Sequence, residues 1–142
     1  MIWAARGIAL ALIAAVFVAA AVALAAGGAS ETPVMSATIG IHFSKFTTTE
    51  LTVRAGEPVS LTLANQDPIG HEWIVGDEAT HARHRTGAEP YHDEVPTEVS
   101  LRAFETRTTV VSFEKAGDYA FICHLPGHEE YGMRGVIHVV SR

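Results

Sequence analysis

Apolar and polar side chains alternate in short runs through most of the chain after residue 35. Val59, Leu61 and Leu63 alternate with polar or small residues, and Leu51 and Val53 flank Thr52 in the same way. Alternate side chains of a strand point to opposite faces, so these runs predict half-buried strands. Six further runs of this kind cover residues 37–43, 71–75, 97–101, 108–113, 118–123 and 135–140. Seven or eight short strands predict an all-β fold, an antiparallel sandwich of two sheets.

Turn-forming residues separate the strand candidates. Breaks fall at residues 55–58, 65–68, 115–118 and 126–127, each of which contains Gly, Pro, Asn or Asp. Residues 77–87 differ from the rest because they are polar and rich in His and Arg. We expect a short helix or an irregular excursion there.

The N-terminal segment has a separate role. Residues 8–26 are an unbroken apolar run that follows Arg6, and this pattern is typical of a signal peptide. The run also approaches the length of about 20 residues that spans a bilayer, so a membrane-anchoring helix is the alternative. We therefore divide the chain into an N-terminal apolar helix, signal or anchor (residues 1–29), a linker (30–35) and a folded domain (36–142). In either case the domain is expected to work outside the cytoplasmic membrane, periplasmic, secreted or anchored to its outer face.

Charge and cysteine content restrict the function. The formal net charge is −6, which argues against nucleic acid as a partner. Cys123 is the only cysteine, so no internal disulfide can form. A lone thiol in an exported protein indicates a chemical role for that thiol.

The loop after residue 122 contains the most specific signal. Cys123, His128 and Met133 follow one another at intervals of five residues, and Pro126-Gly127 and Gly132 allow the loop to fold back sharply. The three side chains can therefore converge on one point. Sulfur ligands beside imidazole favour copper over zinc or magnesium.

A second imidazole is available at His71. This residue follows the turn at residues 67–70 and begins a predicted strand. Two His, one Cys and a weak axial Met form the ligand set of a type 1 copper site. The sequence thus predicts His71, Cys123, His128 and Met133 as metal ligands.

Residues 36–142 resemble the cupredoxin family, and the Cys-x4-His-x4-Met loop is similar to that of rusticyanin and auracyanin. The resemblance implies a Greek-key sandwich that binds one copper ion, cycles between Cu(II) and Cu(I), and carries single electrons rather than catalysing a reaction. It also implies electron exit through His128, inside an apolar rim formed by Leu125, Pro126 and Tyr131. The expected partner is a redox protein such as a cytochrome or an oxidase, and the protein is expected to be a monomer.

A second resemblance points to a different physiological role. The segment 71–77 and the His-containing stretch that ends at residues 91–94 look like those of periplasmic copper-tolerance cupredoxins. A protein that binds or buffers copper is therefore the alternative function. Glu72 departs from many blue copper proteins, which carry Asn or Ser there to hydrogen-bond the thiolate, so the colour of the site stays open.

Other histidines leave alternatives open. His81 and His84 share a helical face, and His92 could fold nearby, so a second copper site is an alternative to a solvated polar segment. His124 resembles one flanking His of the multicopper oxidases, but Ile122 stands where the other would be. A Cys-His nucleophile lacks a local signature for an oxyanion site.

Overall fold

The computed structural model describes residues 35–87, 92 and 95–142. These form eight strands and one helix: β1 (Met35–Ile41), β2 (Glu50–Arg54), β3 (Val59–Asn65), β4 (His71–Gly76), α1 (Glu78–Arg85), β5 (Glu98–Leu101), β6 (Thr106–Val111), β7 (Gly117–Ile122) and β8 (Arg134–Val140). The predicted N-terminal helix lies outside the described residues. Among those residues, none of the helical structure is long and apolar enough to cross a membrane.

The strands form two sheets, with orders β1-β3-β6 and β2-β8-β7-β4-β5. The chain changes sheet after β1, β2, β3, β5 and β6, as in Greek-key sandwiches. The predicted two-sheet sandwich is confirmed, but the sheets are not purely antiparallel, because β1 pairs with β3 and β2 pairs with β8 in parallel. A period of two gives each strand a buried face in both kinds of pairing, so the alternation could not distinguish them.

The core lies between the sheets and is filled by the inward positions of the alternating runs. In β3 the side chains of Val59, Leu61 and Leu63 are buried, and the side chains between them are half-buried. Asn65, the last residue of the strand, is also buried. Trp73 of β4 and Phe121 of β7 are fully buried and pack in the same core cluster. Burial of these large side chains is the main favourable term that holds the sheets together.

Helix α1 occupies the polar segment for which a helix or an irregular excursion was expected. Asp77 caps it, because its side chain accepts a hydrogen bond from the Thr80 amide. The helix is polar, yet His81 and His84 are buried, so they face the sheet rather than solvent.

Strand ends bring the predicted ligands to one edge of the larger sheet. His71 is the first residue of β4, and Cys123 follows the last residue of β7. Since β4 and β7 are antiparallel, these two ends lie side by side. Met133 immediately precedes β8, which pairs with β7, so the loop returns to the same edge.

Candidate metal centre

Three of the four predicted ligands converge at this edge. The Nδ1 atoms of His71 and His128 lie 3.3 Å apart, and Cys123 Sγ lies 3.2 Å from His128 Nδ1. His71 and Cys123 are buried and His128 is half-buried, so the point of convergence is shielded on the protein side. Two imidazole nitrogens and one sulfur match the donor set of a type 1 copper site.

Backbone hydrogen bonds hold the ligand loop in shape. The His128 amide donates to Leu125 O at 3.0 Å, and the Met133 amide donates to His128 O at 3.0 Å. The Cys123 amide in turn donates to Met133 O at 3.1 Å, which ties the two sulfur residues together. Met133 is fully buried in the same core cluster as Cys123.

Two glycines make this loop possible. Gly127 and Gly132 both have φ of 85°, in the left-handed region that side chains other than hydrogen disfavour. The sharp return predicted from the sequence is therefore present.

Asp67 orients His71, a role that the sequence reasoning missed because it treated residue 67 only as part of a turn. Its Oδ2 lies 3.0 Å from His71 Nε2. A carboxylate accepts, so Nε2 carries the proton and the lone pair of the neutral ring is on Nδ1, which faces Cys123 and His128.

The Asp67 carboxylate is itself held by backbone amides. Phe43 and Ser44 each donate to it at 2.8 Å, and both residues have positive φ, 53° and 52°. The amides of these two successive residues each donate to one oxygen of the same carboxylate, which favours its charged form. Burial raises the pKa of Asp67, but the hydrogen bonds from Ser44, Phe43 and His71 outweigh it and hold this pKa below its ordinary value.

Asn65 supports the same turn from the end of β3. Its Oδ1 accepts from the Asp67 amide at 2.9 Å, and its Nδ2 donates to Ile69 O and Arg102 O at 2.7 Å each. The turn before β4 is thus fixed on both sides.

The thiol of Cys123 is hydrogen-bonded by the backbone rather than by a side chain. The Glu72 amide lies 3.4 Å from Cys123 Sγ. This backbone hydrogen bond to the sulfur does not depend on which side chain residue 72 carries. Burial raises the pKa of Cys123 to about 11, so the free thiol is protonated at neutral pH and a bound cation must displace its proton.

The residues expected to form an apolar rim around His128 differ in exposure. Tyr131 is 73 % exposed and Pro126 is exposed, whereas Leu125 is half-buried.

The second set of histidines divides into two groups. His81 Nδ1 lies 3.0 Å from His124 Nε2, and His81 Nε2 donates to Ala120 O at 3.2 Å. His84 and His92 instead converge with Glu98, and the ligand atoms of these three buried residues all lie within 4.8 Å of one another. The predicted set His81, His84 and His92 is therefore corrected: His81 turns toward His124, and Glu98, which no local spacing connects to the histidines, takes its place.

Charged residues surround His124. Its Nδ1 lies 3.3 Å from Glu129 Oε2, and Arg85 makes hydrogen bonds of 2.8–3.3 Å to the Glu129 carboxylate. Burial lowers the pKa of His124 to about 4, so its ring is neutral at physiological pH. The hydrogen bonds from Arg85 lower the pKa of Glu129.

Comparisons with known proteins agree with this geometry. A family model described as copper binding proteins, plastocyanin/azurin family, matches residues 33–140. Two curated proteins, each named copper-resistant cuproprotein CopI, are similar in sequence. The one from Rubrivivax gelatinosus is 35% identical over 96 residues, and the one from Pseudomonas aeruginosa is 27% identical over 120 residues.

These alignments cover parts of both partners. They include 66% and 61% of this chain, and 58% and 66% of the two relatives. The chain thus spans less than two thirds of the length of the curated relatives that it matches.

Solved structures share the fold. Auracyanin B superposes with a TM-score of 0.64 at 26% identity, over 78% of this chain and 91% of its own. Auracyanin A from Chloroflexus aurantiacus, a blue copper protein, gives 0.61 at 29% identity, over 77% and 100%.

Proposed function

Because the chain belongs to the plastocyanin/azurin family of copper-binding proteins, we propose that His71, Cys123, His128 and Met133 hold one copper ion for one-electron transfer. Copper supplies the exchange between Cu(II) and Cu(I). The protein acts as a carrier and not as an enzyme.

The convergence of His71, Cys123 and His128 is the observation that supports this proposal. Their ligand atoms already lie within 4.8 Å of one another, and backbone hydrogen bonds among Cys123, His128 and Met133 hold the loop closed. The loop therefore need not rearrange to bind the metal. A site whose ligands are fixed before the metal binds changes little on electron transfer. Small rearrangement is what a carrier requires.

Neighbouring groups prepare each ligand. Asp67 keeps the proton of His71 on Nε2, and the Glu72 amide donates toward Cys123 Sγ, where it stabilises a thiolate. Met133, buried at the end of the loop, would hold the copper through its thioether, a weak ligand.

Electrons would enter and leave through His128. It is the half-buried member of the three converging residues, and exposed Tyr131 and Pro126, within three residues of it in the chain, would form an apolar rim around it. Such an apolar rim suits brief contact with a redox protein such as a cytochrome or an oxidase. The protein would work as a monomer outside the cytoplasmic membrane, either freed from residues 1–29 or anchored by them.

A role in copper tolerance is the second candidate. The two curated relatives are named copper-resistant cuproproteins, which favours a protein that binds or buffers the metal. Both roles use the same centre, and they differ in whether fast electron exchange is needed.

Electron self-exchange between the oxidised and reduced copper-loaded forms separates the two roles. A carrier should exchange rapidly, and Tyr131→Glu, which places a charge on the rim, should slow exchange while the visible spectrum stays unchanged. Glu114→Gln, a charge change at an exposed position away from the rim, serves as the control. Slow exchange in the wild type that Tyr131→Glu does not alter would refute the carrier role and leave copper binding alone.

A further inference from the structure

A second group of ligand-type side chains, from α1, residue 92 and β5, shares no residue with the centre described above. His84, His92 and Glu98 are all buried, at 6%, 5% and 8% exposure. Glu98 Oε2 lies 3.4 Å from His84 Nε2 and 3.3 Å from His92 Nδ1. One carboxylate oxygen is therefore shared by two imidazoles within a poorly solvated space.

The orientation of His84 directs a lone pair to that space. Its Nδ1 lies 2.8 Å from Thr80 O, one helical turn earlier. A carbonyl only accepts, so Nδ1 donates, and in the neutral ring the lone pair is on Nε2, which faces Glu98. Two electron-rich atoms that face each other at this distance repel one another unless a proton or a metal ion lies between them.

The spacing suits a first-row metal ion. Neighbouring ligand atoms lie about 2.8–3.1 Å apart around a square-planar ion and, with ligand bonds of about 2.0–2.2 Å, about 3.3–3.6 Å apart around a tetrahedral ion. The two separations of 3.3 and 3.4 Å fall in the tetrahedral range. A metal could be accommodated with little movement of the side chains.

Glu98 also has a structural contact. Arg83, on the exposed side of α1, lies 3.4 Å from Oε1. This contact neutralises and orients the carboxylate, and it uses the oxygen opposite to the one that faces the histidines. Oε2 remains directed at the imidazoles and can act as a single-oxygen ligand.

A route from solvent is also present. A surface cleft of about 570 Å³ is lined by His84, His92, His124 and Glu129, among other residues. Both imidazoles are among its lining residues, so an ion in the cleft can reach them without unfolding of the domain.

We propose that His84, His92 and Glu98 form a second metal site, distinct from the centre at Cys123, that takes a divalent first-row ion. Two imidazoles and a carboxylate without sulfur bind Cu²⁺ more tightly than Zn²⁺ or Ni²⁺ by the general affinity order of such sites. His81 is not a ligand of this site, because its nitrogens face His124 and Ala120 O.

This proposal is tested by titrating the full chain with Cu²⁺ and following the titration by electron paramagnetic resonance and visible absorption. We expect a second equivalent with a wide copper hyperfine splitting and weak visible absorption. Glu98→Gln and His92→Asn should each weaken binding of the second equivalent at least tenfold and leave binding of the first unchanged. His81→Asn should leave binding of both equivalents unchanged.

A surface pair provides the matched control. His138 Nδ1 lies 2.7 Å from Asp118 Oδ1, and among the described residues no third ligand-type group joins this pair. His138→Asn should leave both equivalents unchanged. Cys123→Ser should keep the second equivalent, which separates this proposal from the function proposed above.

Two results would overturn the second site. One is a wild type that binds a single equivalent. The other is a second equivalent that survives in both His92→Asn and Glu98→Gln, because the extra ion would then be bound elsewhere. Thermal unfolding of each variant confirms that it is folded, and His92→Asn alone carries the test if Glu98→Gln does not fold.

Discussion

Asp67 determines which nitrogen of His71 faces Cys123. The carboxylate accepts from His71 Nε2 and is held by two backbone amides, so the ring has one tautomer and one orientation. A partner of this kind raises the basicity of a metal-binding imidazole as well as fixing it.

Replacement of Asp67 with Asn should therefore weaken copper binding by about 10–100-fold, because the amide no longer holds the His71 proton as strongly. Competition with a copper chelator measures this affinity. Asp118→Asn, which disturbs the surface partner of His138, should leave the affinity unchanged. Equal affinity in Asp67→Asn and the wild type would show that His71 needs no such support.

Glu72 contacts the sulfur through its backbone and not through its side chain. Glu72→Gln should therefore preserve the wavelength and intensity of the copper–thiolate absorption band. Visible spectra of the two loaded proteins provide the measurement. A clear change of colour would mean that the side chain, rather than the amide, tunes the centre.

At the level of the strands, β8 must pass very close to its neighbours just after Met133. A Cβ at Gly135 would lie 2.5 Å from Thr49 O and would also overlap the Phe121 ring. The Phe121 ring can move only into a filled core, and Thr49 O accepts a hydrogen bond from the Val136 amide, so neither contact is easily relieved. This glycine is required by close approach rather than by its dihedral angles.

Gly135→Ala should lower the free energy of unfolding by about 1–3 kcal/mol, the usual range for overpacking a core. Denaturant unfolding of the metal-free protein measures the loss. Val140→Ala, at a 42 % exposed position of the same strand, should cost much less. Similar losses in the two variants would contradict the contact at Thr49.

The cap of α1 gives an expected pH dependence. Hydrogen bonds from the Thr80 backbone and side chain lower the pKa of Asp77 below its ordinary value of 3.8. The stabilisation of the helix start is therefore complete above pH 3.8 and is lost as the pH falls through the lower pKa of the folded state.

Hydrogen exchange at the Thr80 amide measures this cap. Protection should decrease as Asp77 becomes protonated, and Asp77→Asn, which caps without titrating, should remove that pH dependence. Asp77→Ala should reduce protection at every pH. A wild type whose Thr80 amide shows no change over this range would contradict the role of the cap.

For the molecule as a whole, local signals predicted much of the fold. The alternation in Val59, Leu61 and Leu63 located β3, and the glycines at 127 and 132 indicated the return of the ligand loop. These features depend on residues that are neighbours in sequence, which a pattern can reveal. β1 can pair in parallel with β3 because the intervening strand β2 joins the other sheet, and no local pattern contains that information.

The supporting residues of the sites were missed for the same reason. Asp67 is held by amides more than 20 residues earlier, and Glu98 meets His84 only after α1 has packed on the sheet. Sequence spacing therefore indicated which residue types bind metal but not which acidic groups orient them.

The central claim is that His71, Cys123, His128 and Met133 hold one copper ion through a thiolate. Its most direct test is visible absorption and electron paramagnetic resonance of the full chain after one equivalent of Cu²⁺, beside the same measurement on Cys123→Ser. We predict an intense visible band that bleaches on reduction in the wild type and is lost in Cys123→Ser. A wild type that binds copper without this band, or a band that survives in Cys123→Ser, would contradict the assignment.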